Sequence, residues 1–383
     1  MDNSNQSGQV GSNPQISSSV PQNLITSSQQ QAASDQLRRL GEKVEKAVLP
    51  DELKQNLIER VQRLALLRAS SGFLSSNYIV EYESASTYIT WVTNLPWDKR
   101  TTDILDITKA KVFLDKNHYG LDSVKNRILE YLAAIILNLQ NKDSDHVIRA
   151  PILCLVGLAG TGKTTLAASI AEALGRRFER IPFGGMGSAE VLRGQSRAFP
   201  DAEPGAVIKK LVHATSKNCV ILLDELDRVS DAARADIMGV LIELLDPEQN
   251  RAFTDHFIDY PFDLSQVLFV ATSNNTSNIA TAVLDRLEVI QMPSYSDQEK
   301  IMIASKYLFP KVRKQTGLSE QQLVIDDNVW PNIIRPLGFD SGIRSLERTI
   351  GGICRKVARY IVEGKTPGVR ITNENVKEFL PNY

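Results

Sequence analysis

The feature that most restricts this chain is an eight-residue run, Gly157-Leu-Ala-Gly-Thr-Gly-Lys-Thr164. It lies between a short apolar segment, Ile152–Val156, and a helical stretch, Lys163–Leu174. Gly157, Gly160 and Gly162 permit a tight loop whose backbone N–H groups converge on one point, and a helix starting there adds the positive end of its dipole. Such a point suits phosphate oxygens. Lys163 adds a mobile positive charge, and the Thr164 hydroxyl is a hard oxygen donor of the kind Mg²⁺ takes. The run predicts a phosphate site formed by Gly157, Leu158, Ala159, Gly160, Thr161, Gly162, Lys163, Thr164 and Thr165.

A second apolar run ends in charge: Val220-Ile-Leu-Leu-Asp-Glu-Leu-Asp227. A strand here would deliver Asp224 and Glu225 to its carboxyl end, where open α/β sheets bind their ligands. Asp224 is placed to hold Mg²⁺ through water, and Glu225 to polarise an attacking water as a base. Phosphoryl transfer depends chiefly on such positioning and charge stabilisation.

Around these motifs the chain alternates. Strands are expected at Ile152–Val156, Cys219–Leu223, Val267–Thr272 and Leu287–Gln291, with helices near Lys163–Leu174, Gly205–Thr215 and Asp236–Leu245. That alternation predicts an α/β fold with a parallel sheet sandwiched by helices, and with the glycine-rich run at Gly157–Thr164 it reads as a P-loop NTPase. Upstream, Leu37, Leu40, Val44 and Val48, then Leu53, Leu57, Val61 and Leu64, keep helical spacing on either side of Pro50-Asp51-Glu52. Further helices are expected over Tyr82–Leu95 and Thr108–Asp115. After Asp297 no strand pattern recurs, so a small all-helical lid is expected. In the first 34 residues, 20 are Ser, Gln or Asn, too polar to offset the entropy of ordering. The expected domains are a disordered tail (1–34), a helical neck (35–118), a nucleotide-binding α/β domain (119–293) and the helical lid (294–383).

Composition narrows the class. Lys plus Arg is 44 and Asp plus Glu is 45, a balance against a domain built mainly to coat nucleic acid. No apolar run is long enough for a membrane helix, and Met1–Val10 has no secretory pattern. Cys154, Cys219 and Cys354 are odd in number and far apart, which predicts buried thiols of a reducing, cytoplasmic setting and no disulfide framework.

Beyond the two nucleotide motifs, Leu95–Trp97, Asp115–Leu121, Ile242–Asn250, Phe253–Leu264 and Gly342–Arg348 resemble the ATPase module of the Lon family of AAA+ proteases, over roughly residues 36–383. The resemblance implies ATP and Mg²⁺ as cofactors, and hydrolysis used to unfold or remodel polypeptides in ATP-dependent proteolysis and protein quality control. It implies a ring of identical subunits, a hexamer, with polypeptide substrates and, as one option, a separate peptidase as partner. It further implies Asn274 as the sensor 1 residue orienting the attacking water. Arg286 becomes the arginine finger reaching a neighbour's γ-phosphate, Arg344 the sensor 2 residue from the lid, and Tyr119 and Gly120 the adenine pocket. Phe199, in the loop Arg193–Asp201, keeps the family's pore aromatic, although Pro200 and Asp201 replace the apolar residue and glycine that follow it there.

Tyr383 falls where the family's Ser–Lys protease domain would begin, and the family's N-terminal substrate-recognition domain is not evident, so this chain alone is not expected to cut peptide bonds. Two other readings stay open. The mildly basic Arg344–Arg359 would suit a DNA-associated or regulatory AAA+ switch, and a remnant could bind ATP without turnover. Against the second, Lys163, Asp224, Glu225, Asn274, Arg286 and Arg344 all remain.

Overall fold

Branched apolar runs separated by glycine-rich or polar turns build one parallel sheet. The computed structural model describes residues 35–72, 75–140, 151–335 and 342–381. Its first seven strands are β1 (Ile152–Val156), β2 (Phe178–Pro182), β3 (Val220–Asp224), β4 (Phe253–Thr254), β5 (Pro261–Phe262), β6 (Leu268–Ser273) and β7 (Leu287–Gln291). The sheet order is β2-β3-β6-β1-β7, every neighbouring pair parallel, while β4 and β5 form a small antiparallel pair. Parallel neighbours require crossovers, supplied by the helices Lys163–Leu174, Ala206–Ala214 and Arg234–Leu245.

Inner strands β1, β3 and β6 are buried at every position. They are the runs expected from the sequence, two of them shifted by one residue. The sequence reading omits β2. Its Phe-Glu-Arg-Ile-Pro alternates buried with exposed positions, as an edge strand covered on one face does.

The chain divides into two compact units between Thr93 and Asn94. The first begins with a helix over residues 35–46 and a second at Asp51–Ser71, followed by one that starts at Ser76. Leu37, Leu40, Val44, Leu53, Leu57 and Leu64 are buried, as their spacing predicts. A methyl group on Gly41 would stand 3.8 Å from Val61 Cγ1, and Lys54 Nζ donates to Glu45 O at 2.8 Å, so the first two helices form a hairpin. Val48 is a correction: the helix stops before it and it is 70% exposed. The tail expected to be disordered, residues 1–34, lies outside the described residues.

The second unit holds the sheet and the lid. Trp97 packs against Tyr260 and Phe262, with ring centroids 5.9 and 5.0 Å away. The lid opens at Ser296, whose hydroxyl and backbone form a capping box with Glu299. Leu346, Ile350, Ile353, Cys354 and Val357 line the buried face of its long helix, Arg344–Val362. The lid is helical as expected, with one correction. Leu323–Ile325 (β8) pairs in parallel with Val369–Ile371 (β9), strands too short to register as sequence patterns. All three cysteines are buried and free, and burial pushes Cys154 and Cys219 up to about 12 and Cys354 to about 11, leaving protonated, unreactive thiols.

Candidate functional site

Because the sheet is parallel, the carboxyl ends of β1, β3 and β6 meet at one edge, and the glycine-rich run leaves β1 there. Gly157 N donates to Ser273 O at 3.1 Å, and Met292 N to Val156 O at 2.7 Å. A methyl group on Gly157 would sit 2.7 Å from both Met292 Cβ and Met292 O, so only glycine fits. Gly160 (φ +85°) and Gly162 (φ +93°) then turn the chain through left-handed backbone into the helix at Lys163. The loop is held from both sides: Thr161 Oγ1 donates to Leu158 O at 2.9 Å, and Tyr295 Oη to Thr161 O at 3.0 Å.

Lys163 folds back over this loop. Its ammonium donates to Gly157 O at 2.5 Å, Leu158 O at 3.0 Å and Asn274 Oδ1 at 3.1 Å. Burial pulls its pKa below the ordinary lysine value, opposed by the nearby Asp224 and Asp227 carboxylates. Sensor 1 candidate Asn274 is fixed in turn by Asp227, whose carboxylate accepts from Asn274 N at 3.0 Å and from Asn274 Nδ2 at 3.4 Å.

Asp224 ends β3 and is buried. The Thr164 hydroxyl stands 3.5 Å from both of its carboxylate oxygens. Thr272 Oγ1 donates to Asp224 Oδ1 and accepts from Glu225 N at 3.0 Å, so one hydroxyl orients both acidic residues. Glu225 adopts left-handed backbone (φ 63°, ψ 51°), costly for a residue with a side chain and typical of a functional turn. On β2, Arg180 donates through Nε to Asp224 Oδ2 at 2.6 Å.

The donor set fits both expected ligands. The Gly157–Gly162 loop turns through left-handed glycines into a helix N-terminus, with the Lys163 ammonium beside it, which suits a phosphate anion. A hydroxyl and a carboxylate 3.5 Å apart match the sparse protein ligation of Mg²⁺, which keeps most of its water.

The lid reaches the same loop. Ile343 N donates to Gly160 O at 3.1 Å, and a methyl group on Gly342 would strike Ala159 O at 2.4 Å. Arg344 follows directly, at the first turn of its helix and exposed. Tyr119 and Gly120 follow His118, whose Nδ1 would stand 4.0 Å from a methyl group on Gly162. Gly120 (φ +63°) abuts the Glu299 carboxylate of the lid's capping box, and Tyr119 is partly buried against the core.

Two expected site residues stand apart from this cluster. Arg286 precedes β7 at the opposite end of the sheet, where its carbonyl accepts from Ile152 N at 3.1 Å. The length of β1 separates it from the loop, roughly 13 Å at the usual rise per residue. Its guanidinium is held by Asp246 Oδ2 at 3.0 Å and Ala282 O at 2.8 Å, and that pairing draws Asp246 below the usual carboxylate range. Phe199 sits on a loop far from the strand ends in sequence and is 65% exposed, so it is no core residue.

Sequence reasoning missed five contributors. Asp227 was visible as the last residue of its own acidic motif. Arg180, Thr272 and Asp246 carry no local signal, because each acts through a partner more than 35 positions away. His118 is buried beside the loop, its Nε2 3.1 Å from Ser169 Oγ, and burial lowers its pKa to about 4.

The model of the ATPase family associated with various cellular activities (AAA) matches residues 153–295, and that of the Lon protease AAA+ ATPase lid domain matches residues 314–369. This chain carries the AAA and lid domains of the Lon family. The AAA match spans the loop, Asp224, Glu225, Asn274 and Arg286, and marks a nucleotide-binding domain. Lon protease of Lawsonia intracellularis is 43% identical over 91% of this chain and 40% of its own length. Lon protease of Trichlorobacter lovleyi is 41% identical over 90% of the chain and 41% of its own. Lon protease of Desulfatibacillum aliphaticivorans is 44% identical over 78% and 36%. The chain thus spans about two fifths of these curated Lon relatives. Among the described residues no helix is long and apolar enough to cross a membrane.

Proposed function

We propose that this Lon-type module binds ATP with Mg²⁺ and hydrolyses it to drive the unfolding or remodelling of polypeptides. The observation that carries the reading is the convergence of Lys163, Thr164, Asp224, Glu225 and Asn274 on one loop, with the lid backbone at Gly342–Ile343 pressed against it.

In this reading the loop N–H groups and Lys163 bind the phosphates. Lys163 exchanges its carbonyl contacts for phosphate oxygens, staying tethered by Asn274. Thr164 and Asp224 would hold Mg²⁺, which when bound neutralises charge on the β- and γ-phosphates. Glu225 takes the proton of a water that Asn274 orients, and Thr272 keeps the Glu225 backbone fixed meanwhile. Preorganised dipoles of this kind stabilise the charge that develops during transfer. Arg286 is too far from its own loop to take part, which supports a role at the loop of an adjoining copy in a homo-oligomeric ring. The exposed ring of Phe199 offers area without sequence preference, which supports contact with polypeptide.

A nucleic-acid role has less support. Arg359 is engaged with Glu363 at 2.6 Å, and Lys356 sits 5.9 Å from the Phe379 ring centroid. The test is the ATPase rate of the purified chain, alone, with a loosely folded polypeptide, and with duplex DNA. Turnover stimulated by polypeptide supports the proposal. Stimulation by DNA alone would replace it, and no turnover in any arm would leave a nucleotide-binding scaffold.

A further inference from the structure

Beneath the Phe199 loop two glycines cross. A methyl group on Gly205 would lie 2.0 Å from Leu192 O, and one on Gly194 (φ +75°) would lie 2.7 Å from Gly205 N. No other residue type fits at that crossing without displacing backbone. Residues 195–204 therefore form a loop with a pinched stem, closed above the glycines by Gln195 N donating to Glu203 O at 3.1 Å.

Below the stem lies Asp255, on the turn after β4 and wholly buried (0% exposed). Its Oδ2 accepts from Gly205 N at 2.7 Å. Its Oδ1 accepts from Phe257 N at 2.8 Å and from Ile258 N at 3.0 Å. A buried carboxylate is costly to desolvate and persists only where its lone pairs are used, as three backbone donors use them here. The other leg is tied to the same turn: His256 N donates to Arg193 O at 2.7 Å, and Arg197 Nη2 lies 3.3 Å from Asp259 Oδ2. Arg193 also pairs with Glu243 on the helix Arg234–Leu245.

We propose that Asp255 is a positioning residue whose carboxylate clamps the stem of the Phe199 loop. Load applied at Phe199 then passes into the 255–259 turn and the helix Ala206–Ala214, and the loop does not straighten. The inference rests on the reading that Phe199 contacts polypeptide.

The carboxylate divides its work between two oxygens, which makes a selective test available. In Asp255→Asn the amide oxygen can still accept from Phe257 N and Ile258 N, while the amide nitrogen faces Gly205 N, donor against donor. Asp255→Asn and Phe199→Ala are compared with the unmodified chain for basal ATPase, nucleotide affinity and stimulation by a loosely folded polypeptide. The expected result for Asp255→Asn is basal turnover and nucleotide affinity within about twofold, with stimulation reduced at least fivefold and the KM for polypeptide raised. Full stimulation in Asp255→Asn while Phe199→Ala has lost it would overturn the clamp alone. Full stimulation in Phe199→Ala would overturn the polypeptide-contact reading beneath it. Loss of basal turnover in Asp255→Asn would overturn the clamp by making Asp255 a general determinant of the fold. Hydrogen exchange on the unmodified chain is an independent check: the Gly205 amide should exchange far more slowly than the amides of residues 197–201, and equal rates would contradict a clamped stem.

Discussion

Lys163 and Asn274 meet across the end of the sheet, the lysine ammonium donating to the Asn274 side-chain oxygen at 3.1 Å. One side chain leaves the β1 loop and the other leaves β6, strands that are direct neighbours. The contact ties the residue meant to bind phosphate to the one meant to orient water. Removing each partner should give different defects. Lys163→Ala is expected to lose nucleotide binding, whereas Asn274→Ala should bind within a few-fold of the unmodified chain and turn over about 100-fold more slowly, the usual cost of one positioned polar group. Nucleotide titration beside steady-state ATPase distinguishes them, and equal binding losses would undo the division of roles.

Arg286 lies at the far end of the sheet from its own loop, held by Asp246. Arg286→Ala is therefore expected to bind nucleotide normally and hydrolyse poorly. Mixing it with the binding-deficient Lys163→Ala should restore part of the turnover, because each variant supplies what the other lacks. No recovery in subunit-exchanging mixtures would argue against a finger acting between copies.

At Gly342 the lid presses against the phosphate loop. A methyl group there would meet Ala159 O at 2.4 Å and Gly160 Cα at 2.7 Å. Gly342→Ala should push the lid off the loop, weakening nucleotide binding by at least about tenfold, a loss of roughly 1.4 kcal/mol. Gly187, which like Gly342 lacks positive φ but where an added methyl group would have no neighbour within 4 Å, serves as a control for losing a glycine without the clash. Equal effects from Gly187→Ala and Gly342→Ala would remove the steric account.

His118 is buried against Ser169, and its pKa of about 4 lies below the ordinary histidine value of 6.5, with desolvation as the main cause. Its folded-state pKa is depressed, so the stability it contributes is full above pH 6.5 and is lost as pH falls toward 4. By pH 5 the loss is about 2 kcal/mol. Urea unfolding at pH 7 and pH 5 measures it, and His118→Gln should flatten that part of the profile. An unchanged pH dependence in the variant would assign the acid sensitivity elsewhere.

Legibility in the sequence followed how local each signal is. The inner strands β1, β3 and β6 were readable because burial on both faces leaves continuous apolar runs. β2 was not, because Glu179 and Arg180 break its run, whereas the other edge strand, β7, carries a single charge at Glu288 and was read. Likewise Gly157 to Thr165, Asp224 and Glu225 announce themselves by spacing along the chain. Arg180 and Thr272 reach Asp224 only through strand order, and Asp255 reaches Gly205 only through tertiary folding. The exposure of Phe199 was expected only through the family resemblance, since by itself a lone Phe reads as core.

The most direct test of the hydrolytic reading is Glu225→Gln. The carboxylate stands on a strained left-handed turn held by Thr272, and its amide isostere should keep that geometry while losing the base. The expected result is ATP affinity within about twofold of the unmodified chain with turnover reduced at least 100-fold, the scale of a lost general base. Unchanged turnover in Glu225→Gln would contradict the assignment of this site as the one that hydrolyses ATP.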